Sequence, residues 1–264
     1  MTRVALALVR HELLERTRDR WVLVISALFA LLAWGIGLYG QGNGDAAEVL
    51  IGPSLVTLAG LFVPLVALVL GHDAIVGEVE RNTLGLLLSL PLKRAEMVAA
   101  KFTGRLIALL GAIVLGLGTA TIFLNQGTSF LLAMTGQALL LGAAFLSMGM
   151  LVSSICRRQV TAASAVVCSW FLLVFFYDLG LLGLLVATDG AIGADTISIL
   201  VLANPAGLFR LSLLAWFSGE QALTNLGLTV GLPGPALTAL IWAAWILLPL
   251  AAGSLLLMRR KAVH

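Results

Sequence analysis

Charge is what this chain has least of. Of its 264 residues only 11% are Asp, Glu, Lys or Arg, where a soluble domain carries about 25%. That deficit excludes a water-coated globule. With 60% of residues hydrophobic and a mean hydropathy of +1.06, lipid must be the solvent for much of the surface. Cysteine is nearly absent. Cys156 and Cys168 stand in apolar surroundings and offer neither a disulfide framework nor a zinc-binding spacing. Nucleotide-binding apparatus is missing too: there is no G-x-x-x-x-G-K-[ST] and no strand, glycine loop and helix in succession, so any ATP would be bound by another subunit. The first twenty residues are charged throughout and lack a small-residue cleavage pattern behind an apolar core, so no removable signal peptide is expected.

What is present is a series of apolar runs long enough to cross a bilayer, which takes about 20 residues as a helix. Trp21–Gly44 carries no charge, and Val49–Gly71 gives a second run. Leu106–Cys156 is uncharged and too long for one crossing, and it breaks at the polar cluster Asn125-Gln126-Gly127-Thr128-Ser129 into spans three and four. Gln159 to about Thr188 is the fifth, and Ala236–Met258 the sixth, following the breaker that runs from Gly231 to Pro235. The expected fold class is an all-α polytopic membrane protein, a single domain of six transmembrane helices.

The basic residues orient these spans. Arg3, Arg10, Arg16, Arg18 and Arg20 precede the first. Arg81, Lys93, Arg94, Lys101 and Arg105 lie between the second and third, Arg157 and Arg158 between the fourth and fifth, and Arg259, Arg260 and Lys261 after the sixth. In a six-span arrangement all of these fall on one side and only Arg210 falls opposite, so the positive-inside rule places both termini on the cytoplasmic side. Five or seven spans would scramble the pattern. The outer connection 189–235 is long and semi-apolar. Because non-helical backbone at membrane depth must be shielded by protein, it reads as one or two re-entrant or interfacial helices. The alternative, two further spans, would put Arg210 in lipid at high cost.

Two charged segments remain. Residues 1–20 mix apolar side chains with five arginines, and Glu12 and Arg16 stand at a pairing distance of one helical turn; this reads as a helix lying on the inner headgroups. The island 72–105, HDAIVGEVERNTLGLLLSLPLKRAEMVAAKFTGR, is charged at both ends with a leucine-rich helix over Thr83–Leu90 that Pro91 stops. A solvated loop would not hold so many leucines, whereas a helix seated between the membrane and a partner's groove would. An interfacial helix that only seats the protein is the plainer alternative.

Single residues are less informative. Asp178, well inside span five, is a functional acid by default, or a satisfied structural acid near the outer interface, paired with Arg210. Met134, Met148 and Met150 on span four form no Met-x-x-Met and read as packing, so no metal site is expected. Tyr177-Asp178 and Gly42-Asn-Gly-Asp45 superficially match the halves of an intramembrane aspartyl protease. Their order is reversed and Asp45 falls in an outer loop, so the paired carboxylates that chemistry requires are not expected.

The run from Gly77 to Arg94, GEVERNTLGLLLSLPLKR, followed by Lys101-Phe102, resembles the ABC-2 permeases: an acidic stretch, Asn-Thr-Leu, a leucine helix, Pro, Arg and a downstream Lys. Within that family the stretches Arg18–Leu23, Asp73–Glu78, Tyr177–Leu179 and Ala203–Leu211 are similar to the branch that serves maturation of the copper enzyme nitrous oxide reductase in denitrification. The resemblance implies a non-catalytic permease subunit acting as a homodimer, each copy seated on a separate ATPase that binds ATP and Mg. It implies that 1–20 is an elbow helix and 72–105 a coupling region, with Glu78, Glu80, Arg81 and Arg94 as polar contacts and Leu84 to Leu90 as the apolar plug, Leu84, Leu87, Leu88 and Leu90 foremost. It further implies that the outer loop, through Asn204, Pro205 and Arg210, meets a periplasmic copper-handling protein. The subunit would carry a small species across the dimer seam, supplied with small residues such as Gly35, Gly37, Gly60, Gly116 and Gly118, or pass motion outward without transport. A generic exporter of lipid, peptide or small molecules is the alternative within the same family.

Overall fold

The computed structural model describes residues 3–17, 45–121, 128–189, 191–218 and 234–259, together with residues 27, 30–32, 34–36 and 38. Every regular element among the described residues is helical. Most of the expected first span lies outside them; its described positions are helical. In chain order the helices are α1 (Arg3–Thr17), α2 (Asp45–Gly71), α3 (Val76–Glu80), α4 (Leu84–Leu88), α5 (Arg94–Thr121), α6 (Thr128–Ile155), α7 (Gln159–Phe171), a π-helical turn (Leu172–Phe176), α8 (Tyr177–Ala187), α9 (Ala194–Ala203), α10 (Pro205–Ser218) and α11 (Pro235–Arg259). Five helical stretches among the described residues are long and apolar enough to span a membrane, or six if α9 and α10, which meet at 108°, count as one broken span.

Helix α6 is the centre of the bundle, with α2, α5 and α11 packed around it. The apolar core joins Leu55, Val63 and Leu68 of α2 to Leu141 and Phe145 of α6, Phe209 of α10 and Trp242 of α11. Hydrophobic burial does not drive helices together inside lipid, so close van der Waals approach must. Gly71 and Gly149 supply it, since a Cβ on Gly71 would stand 2.9 Å from the Gly149 Cα. Gly60, one of the small residues expected at a dimer seam, packs on Phe209 and is buried in the bundle. By contrast α7, the π-helical turn and α8 form a single peripheral span, with Phe171, Leu172, Phe176, Leu179 and Leu182 turned outward.

Two boundaries differ from the sequence reading. Span three does not begin at Leu106. Helix α5 starts at Arg94, so the second half of the charged island forms its first three turns. The Glu96 carboxylate accepts the Lys93 backbone N–H at 3.0 Å, half of a capping box, and nothing after it breaks the helix until Thr121. The leucine helix is also shorter than Thr83–Leu90, covering only Leu84–Leu88. It is separated from α3 by Asn82, whose φ of 57° is a left-handed conformation that Asn tolerates better than most residues.

Candidate functional site

The residues with most chemistry meet at the end of the bundle where α1, the 72–93 connection, the start of α5 and the end of α6 converge. Helix α1 turns Ala5, Leu8, Val9, Glu12 and Arg16 inward, a face of helical period that begins apolar and ends ionic. That mixture is why its apolar stripe looks broken in the sequence. It lies against α5 at Gly104, where an added Cβ would meet the Glu12 Cβ at 2.7 Å and the Val9 carbonyl oxygen at 2.8 Å. The close approach brings Glu12 to two cations of α5.

Lys101 and Arg105 are each 1% exposed, and both are neutralised by residues distant in sequence. The Lys101 Nζ donates to Glu12 Oε1 and, at 2.8 Å, to Glu78 Oε1 of α3. Arg105 donates from Nε to Glu12 Oε2 at 3.1 Å, and from Nη1 to Asp73 Oδ1 at 2.7 Å and to the Leu70 carbonyl at the end of α2. Arg16 of α1 pairs with Asp73 Oδ2 at 2.9 Å. On the outer rim Arg81 reaches Glu15 at 3.1 Å. Four cations therefore face four carboxylates across α1, α3, α5 and the turn after α2. Isolated burial of such charges costs several kcal/mol each, and removal of one partner from a buried pair typically costs about 3–5 kcal/mol. Burial alone would raise the Glu12 pKa. Arg105 and Lys101, with Arg16 behind them, outweigh that and hold it below the ordinary 4.5.

Further bonds fix the connection. Ser153 near the end of α6 accepts the Ile75 and Val76 backbone N–H groups at 2.9 and 3.0 Å. Thr83 donates its hydroxyl to Glu78 Oε2 and its backbone N–H to the Glu78 carbonyl at 3.0 Å, so the Asn82-Thr83 pair closes the turn between α3 and α4. Glu80 accepts the Gln159 N–H at 2.8 Å, at the start of α7. Arg94 donates to the Leu257 carbonyl at 2.7 Å, a favourable place for a cation because the last carbonyls of a helix are the negative end of its dipole.

The residues expected to couple to a partner fall in different surroundings within the chain. Glu78, expected as an outward contact, is half-buried and bonded to Lys101 and Thr83. Glu80 and Arg81 are exposed, each with a bond inside the chain. Leu84, Leu87 and Leu88, expected to plug a partner's groove, pack instead against a second core of Leu8, Ile75, Met97, Val98 and Leu257. Leu90 is half-buried. The leucine presented outward is Leu86, 71% exposed, which lies inside the expected plug of 84–90 without having been singled out. The alternation within Leu84–Leu88 carries the signal: in a one-turn helix whose 84, 87 and 88 positions share a face, 86 must lie opposite. Beside it a partly open cleft of about 450 Å³ runs between α1 and the connection, lined by His11, Glu15, Arg81, Leu86 and Leu87 among others.

The far end holds the other predicted residues. Asp178 and Arg210 form the pair expected of them, Nη2 to Oδ2 at 2.5 Å, with side chains 39% and 34% exposed. Asn204 and Pro205, expected to touch an outer partner, are buried. Asn204 makes the corner between α9 and α10: its Oδ1 accepts the Ala206 N–H at 3.0 Å and its Nδ2 donates to the Leu173 carbonyl at 2.8 Å. Within the chain these two side chains shape the corner, and Arg210 is the half-exposed member of the expected set. Asp45 is the first residue of α2. Among the described residues no three His, Cys, Asp or Glu side chains gather as a metal site.

A helical membrane bundle with a pinned, charge-lined connection at one end and a bent helix pair at the other matches one protein class over nearly its whole length. The chain belongs to the ABC-2 family of transporter proteins, whose model it matches over residues 6–262, and it is a permease subunit of an ABC transporter. It is 35% identical to the "Probable ABC transporter permease protein NosY" of Pseudomonas aeruginosa over 98% of this chain and 99% of that one. It is 36% identical to the protein of the same description from Stutzerimonas stutzeri, over 90% and 92%.

Proposed function

We propose that this permease is driven by a separate ATPase subunit, which binds ATP and Mg and docks on the 72–93 connection. The observation that carries this reading is Leu86: a large apolar side chain on the outer face of a one-turn helix whose other leucines are anchored inward, beside the cleft along α1. A push on α4 cannot be absorbed locally. Glu78, Asp73, Arg81 and Ser153 tie the connection to α1, α5 and α6, so displacement passes to the spans. Exposed Glu80 and Arg81 add polar contacts at the rim. The charged end then faces the cytoplasm, in keeping with the positive-inside rule, and the α9–α10 corner faces out.

The likeness to NosY over nearly the full length supports a finer reading. The transporter acts in the inner membrane as a homodimer in copper-site assembly of nitrous oxide reductase, moving a small species or transmitting motion to a periplasmic copper-handling protein. Deletion of the gene in its native host tests this. The expected result is nitrous oxide reductase that is exported but lacks its full copper complement, restored by the wild-type gene. Normal copper loading together with loss of some other exported molecule would assign the protein to generic ABC-2 export. The ATPase partner is tested separately, by copurification of the tagged permease with an ATPase and by nucleotide hydrolysis in nanodiscs.

A further inference from the structure

The span formed by α7, the π-helical turn and α8 is peripheral, yet three of its residues grip the bent helix pair. A π-turn accommodates one extra residue and widens the backbone, and such insertions recur at functional positions. Here Tyr177 donates its backbone N–H to Leu172 in the wide i to i−5 pattern, and the Leu173 carbonyl within the turn receives the Asn204 Nδ2 from outside. One turn on, the Tyr177 hydroxyl donates to the Leu200 carbonyl of α9 at 2.6 Å, and Asp178 pairs with Arg210 of α10. Leu173, Tyr177 and Asp178 therefore hold the corner, α9 and α10 respectively. Leu173 and Tyr177, four apart, share a face in a regular α-helix as well, but Asp178 would there stand about 140° from Leu173. The wide turn is what brings Asp178 round to Arg210, and its relaxation to a regular α-turn would carry Asp178 away.

We propose that this contact set is a conformational latch. Asn204–Leu173 and Asp178–Arg210 hold the α9–α10 corner against span five in the resting state, and a change of register in the π-turn releases both at once, freeing the outer helix pair to move. Asn204 is the pivot, because the same amide group caps α10 through the Ala206 N–H and bonds the π-turn. Asp178–Arg210 is the releasable arm: half-exposed, it can separate without leaving a fully buried charge. The latch rests on the coupling reading above, since the driving motion must come from an ATPase at the other end.

Spin labels test it, placed at Leu182 of α8 and Trp216 of α10, both exposed, in a chain carrying Cys156→Ser and Cys168→Ser and assembled with its ATPase in nanodiscs. The label distance should differ between the nucleotide-free and the ATP-trapped complex. Asp178→Asn should shift the nucleotide-free distribution toward the trapped one, and the exchange Asp178→Arg with Arg210→Asp should restore it. Asn204→Asp, which keeps the acceptor for Ala206 and loses the donor to Leu173, should produce the same shift with α10 intact. A distance unchanged by nucleotide in a complex that assembles and hydrolyses ATP overturns the latch. So does a nucleotide-driven change that neither Asp178→Asn nor Asn204→Asp alters at rest. Failure of any ATPase to associate strikes the coupling reading instead.

Discussion

Lys101 and Glu12 are bonded across 89 positions of sequence, one from the first turns of a membrane helix and the other from the N-terminal helix. Their contact lets α5 begin at Arg94 rather than after its charges, because a lysine whose ammonium is held by Glu12 and Glu78 can be buried there. The N-terminal helix is thus an integral part of the bundle through its ionic face. A role confined to orienting the chain by its arginines does not account for Glu12, which lies wholly inside.

Glu12→Gln should destabilise the protein by about 3–5 kcal/mol, the range for leaving buried cations short of a partner. Lys101→Met should be destabilising as well, and the two together should cost less than the sum of their separate effects, since each removes the partner the other strands. Thermal unfolding of the purified permease in detergent, run as a double-mutant cycle, reads this out. Strict additivity would show that the contact contributes nothing.

The pH dependence of that contact has a fixed sign. Glu12 is held below its ordinary pKa of 4.5, so the folded state binds its proton less readily than the unfolded chain does. Its stabilisation is fully present above the unfolded value, and it is lost as pH falls through the lower, folded value. The stability difference between wild type and Glu12→Gln should be constant from neutral pH down to about 4.5 and shrink only below it. A difference that instead faded between pH 7 and 5 would mean the carboxylate is not held by its cations.

Gly104 tests the helix contact without touching a charge. Gly104→Leu places a side chain where even a Cβ would meet Glu12 and the Val9 carbonyl within 2.8 Å, and backbone cannot yield as a flexible side chain can. Helix α1 should be displaced, seen as cleavage of the N-terminal segment by protease at concentrations that leave wild type intact. Gly85, with nothing within 4 Å of an added Cβ, is the control, and Gly85→Ala should behave as wild type.

The positions of most of the apolar spans were legible because hydropathy is a local property. Leu106–Cys156 had to divide near residues 125–129; the described helices on either side end at Thr121 and begin at Thr128, and residues 122–127 lie outside the described ones. The pairing of Asp178 with Arg210 was legible too, because each is costly in lipid alone and each is scarce. The start of α5 was hidden: Lys101 and Arg105 look like loop residues until Glu12, Asp73 and Glu78 are known to surround them, and those partners are set by tertiary packing. The π-turn was also hidden, since Leu-Leu-Val-Phe-Phe has the composition of any apolar helix and the partner of its Leu173 carbonyl, Asn204, lies 31 residues on. Which leucines of α4 point inward depended on where α1 packs, a fact invisible to a five-residue window.

Leu86 carries the sharpest test of how the ATPase is engaged. Leu86→Asp removes an apolar contact from an exposed position, so stability should change by no more than about 0.5 kcal/mol, while copurification of the ATPase and its hydrolysis should fall at least about tenfold, the equivalent of about 1.4 kcal/mol of binding. Leu87→Asp should do the reverse, because its side chain packs against the second core; here the permease itself should unfold at lower temperature. Glu78→Ala belongs with Leu87, since its carboxylate serves Lys101 and Thr83, whereas Glu80→Ala should weaken the start of α7 by about 1 kcal/mol through loss of its bond to the Gln159 N–H. Equal loss of ATPase binding in Leu86→Asp and Leu87→Asp, with unfolding temperatures unchanged in both, would mean that α4 detaches from the bundle to meet its partner.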